Sequence, residues 1–106
     1  MAKNEIKTGP YKWTRDLYAK LALHYGVTYE FEFKKFPDPN AGGNKQKSEY
    51  LQKFDGPDAK LGEIERRGDE IRADIEAKTR AKYPGPLMFT KAANEAREAA
   101  VRDLIL

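Results

Sequence analysis

The chain has 106 residues, 40% hydrophobic and 35% charged, which suits one domain, 1–106, with a modest core and a highly polar surface. With no cysteine, no apolar run of about 18 residues and no apolar leader in its first residues, the sequence excludes disulfides, thiol catalysis and a spanning helix, and a cytoplasmic protein is expected. The net charge of +3 is unevenly spread: residues 1–54 carry ten Lys/Arg against six Asp/Glu and ten of the twelve aromatics, whereas residues 55–106 carry ten against eleven.

A first helix is predicted from Pro10 to Tyr25. Proline suits a first helical position, and Gly26 suits the left-handed residue that follows a helix. Trp13, Leu17 and Leu21 recur at i, i+4 and i+8, with Tyr18, Ala22 and Tyr25 beside them, a broad apolar stripe. Residues 27–34 then alternate without a break. Val27, Tyr29, Phe31 and Phe33 share one face, and Thr28, Glu30, Glu32 and Lys34 the other, the period of a half-buried strand. A strand needs a neighbouring backbone, and no other segment reads as strongly β.

Residues 37–44, with two prolines and two glycines, predict a loop. Residues 45–54 are ambiguous. Tyr50, Leu51 and Phe54 fit a short helix from near Ser48, the preferred reading, while Lys45 to Leu51 could instead return as a weaker strand. After a break at 55–58, Asp58 is positioned to cap a long helix from Ala59 to Lys82. Leu61, Ile64, Gly68, Ile71 and Ile75 step along it as a heptad-like seam, and Gly68 on that seam implies close approach of another backbone. Glu63–Arg67, Arg72–Glu76, Asp74–Lys78 and Glu76–Arg80 are spaced for i, i+4 ion pairs. Tyr83-Pro84-Gly85-Pro86 stops the helix. Thr90 can cap a last helix running to the C-terminus, whose Ala92, Ala93, Ala96, Ala99 and Ala100 favour close packing in an antiparallel hairpin. The expected class is α+β and predominantly helical, with one clear strand, three to four helices and a C-terminal helical hairpin.

No catalytic, metal or cofactor set stands out. The expected function is therefore a small non-enzymatic protein–protein interaction or assembly component, such as an accessory or structural part of a virion or an inhibitor complex. Its partner is another protein or its own copy. Candidate interface residues are Tyr29, Phe31 and Phe33 on the unpartnered strand, and Gly68, Ile71 and Ile75 on the helical seam. The alternative is nucleic-acid binding by the first half: the aromatic row would stack bases while Lys34, Lys35, Lys45 and Lys47 held phosphates. Against this, an aromatic row is also what the core face of a strand contains. A second alternative is a magnesium-dependent, nuclease-like hydrolase. Glu32-Phe33-Lys34, with Asp16 before it and Asp38 after, would supply carboxylates for the metal and a lysine for the attacking water. Gly42-Gly43-Asn44-Lys45 lacks the spacing of a phosphate loop. His24, the lone histidine, sits where it would stabilise a helix C-terminus.

Overall fold

The computed structural model describes residues 2–9, 11–37 and 46–106. Their order is β1 (Ala2–Lys7), α1 (Lys12–Tyr25), β2 (Thr28–Pro37), β3 (Gln46–Gly56), α2 (Asp58–Lys82), a 3-10 turn (Gly85–Phe89) and α3 (Lys91–Arg102). The class is α+β, with three α-helices and a three-stranded antiparallel sheet in the order β1-β3-β2. The strand over 27–34 thus has partners within the chain. It pairs with β3 from Thr28↔Asp55 to Pro37↔Gln46, and β3 pairs on its other side with β1, from Ala2↔Gly56 to Lys7↔Leu51.

Two expectations change here. The short helix preferred within 45–54 is instead the central strand, and a second unforeseen strand precedes α1. The reason is Gln52. It occupies a core position of β3 and is fully buried, so the apolar alternation that announces a strand is broken at its middle. Burial of this amide is tolerated because its Nε2 donates to Thr8 Oγ1 at 3.1 Å and its Oε1 accepts from the Tyr29 hydroxyl. β1 carries a single large apolar residue, Ile6, and is ordered mainly by its ladder to β3.

α1 packs on β2 and β3 and also on α2 and α3, and α2 itself reaches β1 and β3. Its stripe is buried: Leu17 and Leu21 are fully enclosed, and Tyr18 packs on Phe54 with ring centroids 5.9 Å apart. Each such side chain contributes about 1.5–3 kcal/mol through burial. Gly26 ends the helix in the left-handed conformation at φ 70°, and the Val27 N–H returns to the Ala22 carbonyl, so the chain enters β2 at once. The N-cap of α2 is Pro57, with Asp58 as the first helical residue. Thr90 caps α3, accepting from the Ala93 N–H at 3.3 Å. α3 ends at Arg102, before the C-terminus, and Leu104 and Leu106 fold against the core. The loop predicted at 37–44 begins one residue too early, because β2 runs to Pro37; its residues 38–44 and the helix start at Pro10 lie outside the described residues. Among the described residues no helix is long and apolar enough to cross a membrane.

Candidate interaction surface

The aromatic row of β2 divides at Tyr29. Tyr29 is half-buried beside Phe54, with ring centroids 5.4 Å apart, and burial pushes its phenol up to about 12 despite the nearby Arg15. Beyond it the helices no longer cover the sheet. Phe31 is 45% exposed and Phe33 55% exposed. Tyr50 of β3 joins them, its ring centroid 5.8 Å from Phe31 and 4.7 Å from Phe33. The Arg15 guanidinium of α1 lies 4.8 Å from the Phe31 ring centroid and 5.3 Å from that of Tyr50, while also pairing with Asp16 at 3.1 Å. Displayed rings around an arginine form a surface patch of the residue types that dominate binding hot spots. Sequence reasoning missed Arg15 and Tyr50. Reading 46–54 as the returning strand would have placed Tyr50 opposite Phe33, but nothing local marks Arg15.

β2 is also an edge. In the order β1-β3-β2 its inner side pairs with β3, and no described strand covers its outer side. Ten residues, 28–37, therefore present an open ladder edge.

On the opposite face, Glu32 is held by Lys53 and, at 3.1 Å, by Lys34. Hydrogen bonds from Lys53 and then Lys34 keep its carboxyl below the ordinary range. Lys47 pairs with Glu49 at 3.2 Å, Lys35 is exposed, and Lys45 lies outside the described residues. Among the four lysines of the nucleic-acid alternative, two are thus already engaged with carboxylates. Glu32 faces away from α1, which carries Asp16, so the acid and the Glu32–Lys34 pair are not brought together; Asp38 lies outside the described residues. No group of three or more His, Cys, Asp or Glu among the described residues could hold a metal. His24 stands in the last turn of α1, its ring edge-on to Tyr25.

The helical seam has a different fate. Gly68, Ile71 and Ile75 are buried within the chain, and Gly68 makes room for the Tyr18 ring: a Cβ there would stand 2.6 Å from Tyr18 Cε1. The close approach implied by Gly68 is that of a side chain on α1, not of another backbone. Of the four ion pairs expected along α2, Asp74–Lys78 forms at 2.9 Å, Arg66 takes both Glu63 and Glu70, and Glu76 reaches across to Arg97 of α3.

Comparison with known proteins finds no matching family, no matching curated protein and no matching solved structure.

Proposed function

We propose that the chain is a small non-enzymatic interaction protein that self-associates through the β2 edge, as an accessory or structural part of a larger assembly such as a virion. The open edge of β2, flanked by Phe31 and Phe33, carries this reading. Edge pairing satisfies backbone groups that otherwise face water, and the displayed rings add apolar area at the joint. A second copy is the favoured partner because the strand complements itself. An antiparallel pairing centred on Glu32 sets Glu30 opposite Lys34 and Phe31 opposite Phe33 twice over, while keeping the two faces of the sheet in register. Lys34, Lys35 and Pro37 near the end of the strand discourage indiscriminate pairing, so an ordered dimer rather than an open fibre follows.

The test is solution mass by light scattering across a concentration series, for the native chain and for Phe33→Asp. A mass that rises to twice the monomer, and a folded Phe33→Asp that stays monomeric, support the reading. A native chain that remains monomeric up to about millimolar concentration, where only affinities weaker than about −4 kcal/mol go unseen, removes it.

A further inference from the structure

A concavity lies between the end of β1, the start of β3, the later half of α2 and the turn before α3. It encloses about 620 Å³. Both carboxylates among the described residues of its wall are in use: Glu76 accepts from Arg97 Nε at 2.6 Å, and Glu49 pairs with Lys47. Two cations of the wall, Arg72 and Arg80, have no carboxylate partner among the described residues. Arg72 makes one long hydrogen bond, 3.5 Å, to the Tyr18 hydroxyl, and Arg80 is exposed on α2, whereas Lys7 at the rim carries its ammonium over the Phe36 ring of β2 at 4.2 Å. Like charges gathered in a concave site focus a positive potential that an anion relieves.

The spacing selects the anion. Arg72 and Arg80 are separated by two turns of α2, about 12 Å along the axis. One phosphate or one carboxylate does not span that distance, whereas a chain of phosphates does, and guanidinium forks match phosphate oxygens bidentately. The same cleft displays two rings, Tyr11 and the 82%-exposed Phe89. Exposed rings beside cations suit a heterocyclic base, which stacks while its phosphates are held. We propose that this cleft binds a phosphate chain bearing a base, as a free nucleotide or as a short single-stranded nucleic acid, with Arg72 and Arg80 on the phosphates and Tyr11 and Phe89 on the base. Edge pairing through β2 leaves the cleft open, so the two proposals stand or fall separately.

Trp13, the only tryptophan, lines the cleft and reports on it by fluorescence. The full chain is titrated with sodium tripolyphosphate, ATP, a ten-residue oligothymidylate and, as a competitor class, tetraglutamate. Arg72→Ala/Arg80→Ala is compared with Lys34→Ala/Lys35→Ala, which removes equal charge elsewhere; Arg80→Ala alone is the solvent-facing variant if the first pair compromises folding. The expected result is a saturable, salt-sensitive Trp13 response to a phosphate probe. Affinity should fall about tenfold in the cleft variants and less than about twofold in the Lys34/Lys35 variant. Preference for ATP points to a free nucleotide, and preference for oligothymidylate to single-stranded nucleic acid. In either case Phe89→Ala erases the advantage over tripolyphosphate. No response to any phosphate probe, equal losses in the two double variants, or tetraglutamate binding as tightly as the phosphates would each overturn the proposal.

Discussion

Gly62 and Gly68 sit on the same helix and respond oppositely to one methyl group. A Cβ at Gly62 meets nothing within 4 Å, so Gly62→Ala gains the helix propensity of alanine, about 1 kcal/mol. At Gly68 the same change meets the Tyr18 ring at 2.6 Å, and that ring is enclosed between α1, α2 and Phe54 with nowhere to move. Gly68→Ala should therefore lower stability by about 1–3 kcal/mol despite its better propensity. Urea midpoints of the two variants, one rising and one falling, check this; two rises would mean that Tyr18 swings aside. Tyr29 carries a pH-dependent prediction. Its phenol is raised from 10.0 to about 12 by burial. Between those values the folded state keeps its proton while the unfolded chain releases one, so stability is full below pH 10 and declines as pH rises towards 12. Tyr29→Phe should lack this alkaline decline. At neutral pH it should be weaker by about 1–3 kcal/mol, because the buried Gln52 Oε1 loses its donor. Equal slopes for both proteins in urea unfolding at pH 8 and pH 10.5 would show that Tyr29 does not govern this range.

The elements whose apolar spacing is unbroken were legible: α1, β2 and α2 fall within two residues of their expected bounds at their described ends, apart from the three-residue extension of β2 to Pro37. Those that rely on tertiary partners were not. β1 has no pattern of its own, and β3 hides its period behind Gln52, whose burial depends on Thr8 and Tyr29 from two other segments. The seam of α2 was visible, but whether it faced outward was not, because a heptad pattern is the same whether α1 or a second chain fills it. Local charge spacing misled in the same way at Glu76. Arg72 and Arg80 stand one turn to either side, yet the carboxylate takes Arg97, whose side chain is 7% exposed and also donates to the Met88 carbonyl at 2.9 Å. Glu76 therefore pins α3 and the preceding turn to α2. Glu76→Ala leaves a buried guanidinium with less than its full set of acceptors and should cost about 1–3 kcal/mol. A double-mutant cycle with Arg97→Ala should show coupling of at least about 0.5 kcal/mol. Additive losses in chemical denaturation would mean that the pair only meets in passing.

At the scale of the whole molecule, the basic, aromatic half and the mixed-charge helical half are not separate bodies. α1 from the first half forms the core with α2 and α3 from the second, and the cleft draws Tyr11 and Trp13 from one half and Arg72 and Arg80 from the other. What the first half contributes alone is the open edge of β2, and its self-pairing makes a geometric prediction that needs no partner to be known. In the pairing centred on Glu32, the two Glu32 residues of a dimer face each other across the joint with Cα atoms about 4.5–5.5 Å apart. That lies within the range a disulfide bridges. The two Glu30 residues are offset by four positions along the strands, roughly 13 Å at a strand's rise per residue, and cannot be joined. The chain contains no cysteine, so single cysteine variants report without interference. Glu32→Cys gives up a partly exposed, ion-paired carboxylate. Under mild oxidation it should run as a covalent dimer on a non-reducing gel, while Glu30→Cys stays a monomer. If Glu30→Cys cross-links and Glu32→Cys does not, the copies pair in another register. If neither cross-links although light scattering finds a dimer, the pairing is centred on neither residue, and a Phe33→Asp variant that stays dimeric then places the contact elsewhere than β2.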